Sequence, residues 1–445
     1  MAPGPVSRGT EMVRGTIGGL TWGPAVGFAK SAVLSILDRI EVGTLILIDG
    51  PGEMRYVFGE KLSNKLSDYD QITDSHLPRR ADATPRAKIL VRNESFWVRL
   101  LLFADMGFAE AYMLEDFECQ DLTSFFQLFI VNRNHMNNGT TMFSSLASGI
   151  SALARSTNPL SSAPLNISAH YDISNEMFAA FLSPEMTYSC PIWQQQCGDG
   201  PETEESLEEA QRRKLLQHID SARIKSSDHV LEIGTGWGSF AIEAVKSTGC
   251  RVTSVTLSKE QKLFVDERIR SEGLEDRIEV EFMDYREIPV PEKPYDKIVS
   301  IEMLENVGQE YIATYFQCMS RLLKHDGGIA VFQCITMPEG RHKTYSGSED
   351  FINHYIFPGG YLPSITELLN HITQQSKGTL IVEKVENIGG HYAKALRLWK
   401  ENFLGNFDTK IKPALLREHP EMSKEGVEVF RRKWEVGIPH MQCTC

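Results

Sequence analysis

The chain has 445 residues, room for two or three domains that each bury a core. Its 42% hydrophobic and 24% charged content is that of an ordinary globular protein. A formal net charge of -13 argues against non-specific nucleic-acid binding, which needs a basic footprint, yet a local basic patch could still meet a membrane-surface substrate.

Residues 1–15 are small and rich in Pro and Gly, the composition of a disordered terminus. Thr16 to Leu37 is the most apolar stretch, but it carries Lys30 and four glycines and is too polar for a spanning helix. No charged, apolar and small-residue succession marks a signal peptide. Val26 to Ile40 is expected as an amphipathic helix that either packs on its own domain or touches a membrane surface. Leu45, Leu47 and Arg55 to Phe58 read as short strands around the turn Asp49-Gly50-Pro51-Gly52, and Ala87 to Val91 as another. Helices are predicted over Phe96 to Phe103, Phe108 to Met113 and Leu122 to Val131. Together these make a small α+β domain over residues 16–134. His135 to Asn166, rich in Ser, Asn, Thr, Gly and Pro, breaks the pattern as a linker or a segment over a site.

A second domain is expected over residues 167–445. Strand signals at His229 to Ile233, Arg251 to Leu257, Ile278 to Met283, Tyr295 to Ile301 and Gly328 to Cys334 alternate with helical ones. The helices fall at Leu207 to Asp220, Phe240 to Ser247, Lys259 to Glu272 and Tyr311 to Leu323. That alternation predicts an α/β fold with a doubly wound, mainly parallel, Rossmann-like sheet. The first six of the eight cysteines have no metal-ligand spacing, so no metal is expected and a reduced cytosolic protein is the simplest account. Cys443 and Cys445 form a CxC pair that reads as a weak metal binder or a frayed tail.

The first of these strands, Val230-Leu231-Glu232-Ile233, runs into Gly234-Thr235-Gly236-Trp237-Gly238. Glycines at alternating positions let the backbone pass close to a ligand where a Cβ would clash. The spacing is one residue short of the dinucleotide GxGxxG, and no Lys-Ser/Thr pair follows to hold a triphosphate. A nucleoside site and a plain tight turn are the two readings. Three more segments converge on the crevice at the carboxyl ends of the strands. Thr256, Leu257 and Gln261 end the second strand, with Thr256 and Gln261 as hydrogen-bonders where a ribose-binding acid is usual. Asp284-Tyr285-Arg286 follows the third, offering a carboxylate and a ring to an adenine edge and face. Glu302 and Glu305 follow the fourth, as a working carboxylate pair or as a solvated helix start.

The runs Ala169-His170-Tyr171-Asp172, Tyr188-Ser189-Cys190, Phe357-Pro358-Gly359-Gly360 with Leu362-Pro363-Ser364, and Gly389-Gly390-His391-Tyr392 resemble the cyclopropane-fatty-acyl-phospholipid synthase family. These are S-adenosylmethionine-dependent methyltransferases acting on unsaturated acyl chains, and the resemblance spans about residues 45–434. It implies a class I methyltransferase sheet, S-adenosylmethionine as donor and an unsaturated phospholipid at a membrane surface as substrate. It also implies a cytoplasmic, membrane-peripheral homodimer whose first domain engages lipid and makes dimer contacts. The implied cofactor-binding residues are Tyr188, Ser189, Glu232, Gly234, Gly236, Gly238, Thr256, Leu257, Gln261, Asp284, Tyr285, Arg286 and Glu302. The acyl chain would enter an apolar tunnel capped by the His170 to Cys190 segment.

Methyl transfer to an isolated double bond leaves a carbocation, which must be kept from water and faced by aromatic rings. In the family a bicarbonate ion then takes a proton from the new methyl and a cyclopropane ring closes. The matching positions here are Cys190, Glu305, Ile335 through its backbone, and Tyr392. Taken alone, Cys190 also reads as a small buried hydrophobe and Tyr392 as a core aromatic. Gln333 stands where many members place a bicarbonate-binding His; it can donate a hydrogen bond but carries no proton at neutral pH. Glu302 replaces a usual glycine and Asn306 a usual His. These departures look like the branch that makes 10-methylene or 10-methyl chains, the alternative to the ring. The family also continues past Trp434 through a helix to a last apolar strand. Pro439 and the short length are expected to forbid both, leaving an unpaired sheet edge. The rival from another class is therefore a truncated, non-catalytic lipid-binding relative.

Overall fold

The computed structural model describes residues 19–60, 84–136, 174–195, 205–347 and 350–444. The predicted disordered terminus, all but the first two residues of the predicted linker, and Ala169 to Asp172 lie outside them. The chain divides into two compact units, one of residues 1–171 with 420–444 and one of residues 172–419.

The first unit holds a four-stranded sheet of order β2-β1-β3-β4, with β1 Thr44–Asp49, β2 Met54–Gly59, β3 Arg86–Val91 and β4 Phe117–Cys119. β1 turns back into β2 at the predicted Asp-Gly-Pro-Gly turn and runs parallel to β3. The three residues of β4 are too few to show a period in the sequence. The first helix, Gly19–Leu37, begins earlier than expected and packs on its own unit. Val26, Ala29, Val33 and Leu37 are buried at helical spacing, while Phe28 faces outward. Lys30, the charge within that apolar run, is paired with the buried carboxylate of Asp49. The two helices predicted over residues 96–113 are one element, Ser95–Met113, broken at Ala104 where φ is 46°.

The expected stop at Pro439 is overturned. Lys424–Thr444 is one helix with Pro439 inside it. An interior proline costs about 3 kcal/mol. Against that, Phe430, Trp434, Val436 and Ile438 are buried, each contributing roughly 1.5–3 kcal/mol. They pack in the first unit, where the helix lies against Ser95–Met113 and Leu122–Val131. Arg432 fastens the contact by donating to the Tyr112 carbonyl at 3.1 Å. Restoring the missing N–H with Pro439→Ala is expected to raise the unfolding free energy by about 1–3 kcal/mol. A urea midpoint that does not rise would show that the helix bends there without penalty.

The second unit is built on β5 His229–Ile233, β6 Arg251–Thr256, β7 Ile278–Phe282, β8 Lys297–Ile301 and β9 Ile329–Gln333. Their order is β7-β6-β5-β8-β9, with every pair parallel. The order reverses between β5 and β8, which opens a crevice at their carboxyl ends. Alternate residues feed two cores. Val230, Val252 and Val299 pack with the helices Leu207–Ser221, Ser239–Thr248 and Lys259–Ser271. Leu231, Ile233 and Ile298 pack with Ile312–Leu322 and Ile365–Gln375 on the other face. Among the described residues β9 is an edge strand, and only Gln333 in it is fully buried.

Candidate active site

The glycine turn leaves β5 at the crevice. Gly234, Gly236 and Gly238 have φ of +97°, +52° and +85°, backbone conformations that side chains other than glycine resist. A Cβ on Gly238 would stand 2.7 Å from Val265 Cγ1, whereas one on Gly236 would meet open space. Room beside a bare backbone at a strand end fits the methionine and ribose portion of S-adenosylmethionine. Thr256 Oγ1 donates to Gln261 Oε1 at 2.9 Å, and Leu257 beside them is 66% exposed, free to cover a flat ligand.

Other predicted cofactor residues have partners within the protein. Asp284 accepts from Arg286 Nε at 2.9 Å and Nη2 at 2.5 Å, and those bonds hold its carboxyl below the usual range. Arg286 lies over the Tyr311 ring, 4.7 Å from its centroid. Tyr285, expected to offer a ring face to adenine, is buried in the core with its ring edge-on to Tyr315. Glu232 points into the sheet, where its Oε2 accepts from Ser254 Oγ at 2.6 Å, tying β5 to β6. Burial pushes its carboxyl up to about 8, although Ser254 and Lys214 pull the other way.

Cys190, Glu302, Glu305, Gln333, Ile335 and Tyr392 do meet. Glu302 follows β8 with φ +48°, a left-handed conformation rare for a long side chain, and its N–H donates to the Gln333 carbonyl at 2.8 Å. That turn drives its carboxylate inward. Oε1 accepts from Cys190 N at 2.8 Å and Gln333 Nε2 at 2.7 Å, and Oε2 from Tyr392 Oη at 3.2 Å. Glu302, assigned from sequence to the cofactor, stands instead at the centre of the predicted catalytic cluster. Glu305 Oε1 accepts from Ile335 N at 2.5 Å, while its Oε2 is buried with no hydrogen-bond partner among the described residues.

Burial raises both carboxyls, and the negative charge of Glu302 lifts Glu305 further, to about 8. Three hydrogen bonds and Lys214 oppose the rise at Glu302. Where two buried carboxyls stand together, the one with the donors keeps the charge and the other keeps the proton. The donors around Glu302 favour a negative charge there over one on Glu305. The donors that the resemblance assigns to bicarbonate are thus met by a side-chain carboxylate, and the cluster does not fit a free anion as well.

An aromatic wall adjoins the cluster. The Tyr188 ring lies 5.2 Å from Phe178, 5.1 Å from Trp399 and 6.2 Å from Phe357, and Tyr392 meets Trp399 edge-on at 5.9 Å. Behind it, Gln211 Nε2 donates to the Ser189 carbonyl at 2.8 Å and Lys214 Nζ to Ser189 Oγ at 2.7 Å. Sequence reasoning gave Trp399 no role in the site, and missed Gln211 and Lys214. For the last two a signal existed: Leu207, Ala210, Gln211, Lys214, Leu215 and His218 follow the spacing of one buried helix face. No group of residues among those described could hold a metal ion.

A family model described as mycolic acid cyclopropane synthetase matches residues 160–419. The chain is 34% identical over 385 residues to the tuberculostearic acid methyltransferase of Mycobacterium tuberculosis, covering 83% of this chain and 85% of that protein. It is 32% identical over 346 residues to the cyclopropane-fatty-acyl-phospholipid synthase of Escherichia coli K12, covering 78% and 81%. Among solved structures, a mycolic acid cyclopropane synthase complexed with SAH and CTAB aligns at 27% identity with a TM-score of 0.50, over 63% of this chain and 94% of that one. The parallel sheet, the glycine turn and these likenesses agree: the chain belongs to the mycolic acid cyclopropane synthetase family and is an S-adenosylmethionine-dependent methyltransferase of the cyclopropane fatty acid synthase type.

Proposed function

We propose that this chain methylates the cis double bond of an unsaturated acyl chain in a phospholipid, with Glu302 as the base that completes the reaction. The observation that carries this reading is the Glu302 carboxylate lodged among Cys190 N, Gln333 Nε2 and Tyr392 Oη. S-adenosylmethionine supplies a sulfonium-activated methyl, electrophilic enough for an olefin with no heteroatom to help it. The glycine turn, Ser189 and the Thr256–Gln261 pair would hold that donor. The π electrons of the double bond form the new carbon–carbon bond, the sulfur keeps the pair of the bond that breaks, and a carbocation remains on the chain. Tyr188, Trp399 and Phe178 would face it with ring π systems and keep water away. A proton then passes to Glu302, which is hydrogen-bonded and desolvated for that role.

Loss of the proton from the new methyl closes a cyclopropane ring. A second product, a methylene branch formed when a 1,2-hydride shift moves the cation to the methylated carbon before the new methyl loses its proton, is favoured by the likeness to a tuberculostearic acid methyltransferase and by Glu302 standing as a fixed base. No helix among the described residues is long and apolar enough to cross a membrane. The reading has the acyl chain reached from the bilayer surface by a homodimer, with the exposed Phe28, Met54 and Val57 of the first unit as candidate contacts. Incubation with S-adenosylmethionine and dioleoyl phospholipid is expected to add one CH₂ to the acyl chain by mass spectrometry. Proton NMR then separates ring from methylene. Folded protein that binds the donor and adds no mass would refute the reading and leave the lipid-binding relative.

A further inference from the structure

Lys214 lies on the inward face of Leu207–Ser221 with no solvent exposure. A buried ammonium is costly unless negative charge opposes it. Its Nζ donates to Ser189 Oγ at 2.7 Å, and Ser189 carries no charge. The opposing charge lies one residue further on, where Cys190 N holds Glu302 at 2.8 Å.

Several titratable groups face Glu302 or the Lys214 behind it. Glu185, Tyr188 and Cys190 come from the segment before the crevice, Glu305 from the turn after β8, and Cys334 from the end of β9. Tyr392 comes from its own helix, Glu232 from β5, and Lys214 with His218 from Leu207–Ser221. Burial and the neighbouring Lys214 hold His218 down to about 4, so it stays neutral. Arg268 is spent on the Glu185 and Trp237 carbonyls. Lys214 is the cation that acts on Glu302. Its own ammonium is weakened by burial, to about 8, and sustained by Glu302, Cys190, Glu185 and Glu232.

We infer that Lys214 is a positioning residue for methyl transfer: bonded to Ser189 behind the cluster, it supplies the positive charge that keeps Glu302 ionised and able to accept the proton. This rests on the reading of Glu302 as the base. Removing the cation makes the carboxylate harder to form, so the acid limb of the pH–rate profile must move to higher pH.

Rates with S-adenosylmethionine and dioleoyl phospholipid vesicles are to be compared across pH for the wild type, Lys214→Met and Lys214→Gln, with Glu302→Gln alongside. Met replaces a desolvated charge with an apolar chain of similar length, which the fold tolerates. Gln keeps a donor for Ser189 without the charge. Both Lys214 variants are expected to shift the acid limb up by about one pH unit, a tenfold loss on that limb, with the alkaline plateau largely kept. The carboxyl ¹³C resonance of Glu302, identified by its absence in Glu302→Gln, should titrate with the same shift and needs no turnover. An unmoved limb in both variants, with weaker donor binding or a lower plateau, would overturn the inference and leave Lys214 as a support for Ser189. A shift in Met but not in Gln would also overturn it, since the hydrogen bond and not the charge would matter. Wild-type turnover in Glu302→Gln would instead overturn the reading of Glu302, whatever the Lys214 variants do.

Discussion

Glu302→Gln is expected to cut methylated-lipid formation by about 10²–10⁴-fold while S-adenosylmethionine binding changes little. The amide is nearly the same shape as the carboxylate, so the cluster survives; what is lost is the atom that accepts the proton. The turn at φ +48° is unchanged by this substitution, which separates chemistry from folding. Glu302→Gly empties the space between Cys190 N, Gln333 Nε2 and Tyr392 Oη. Added bicarbonate is then expected to restore part of the rate in that variant, and to leave the wild type unaffected in carbonate-free buffer. Initial rates with and without bicarbonate decide the matter. A wild-type rate that depends on bicarbonate, with Glu302→Gln fully active, would remove Glu302 from the reaction.

Gly238→Ala is expected to lower stability by about 2–4 kcal/mol. Roughly 1–2 comes from a left-handed backbone bearing a Cβ and the rest from overpacking against Val265. The backbone there has φ +85°, and the new methyl would stand 2.7 Å from Val265 Cγ1. Gly238 also begins the helix Ser239–Thr248, so its displacement moves the turn that would hold the donor and should weaken donor binding. Val265→Ala in the same chain relieves the collision but not the backbone strain, so the double variant should regain only part of the loss. Urea unfolding and calorimetry of donor binding measure both effects. A Gly238→Ala protein that unfolds like the wild type would show that the turn has slack.

Much of the second unit was legible because buried parallel strands are written as short runs of Val and Ile ended by turn residues. Val230 to Ile233 and Lys297 to Ile301 are examples, and glycines mark where the crevice must lie. The cluster of Glu305, Ile335, Tyr392 and Cys190 came from resemblance and not from spacing, since these residues are distant in sequence. Glu302 was placed with the cofactor because it follows β8 immediately. Nothing in the sequence announces a glutamate in a left-handed turn, so its direction was hidden. The surroundings of Tyr285 were hidden for a similar reason: only the packing of Tyr315 shows its ring edge-on in the core. At Pro439 a sound local rule lost to tertiary burial around Trp434. Lys214 was readable in principle as a charge on a buried face, yet a lysine among Arg212, Arg213 and Glu209 is easily taken for surface.

β9 leaves Ile329, Ala330, Val331 and Phe332 half covered beside a row of backbone groups with no strand against them among the described residues. Such a margin is a ready template for another polypeptide to lie along, so crowding the purified protein invites slow association that has nothing to do with lipid or donor. Dilute storage is the practical remedy, and a charged side chain at the solvent side of that margin would blunt it without touching the crevice.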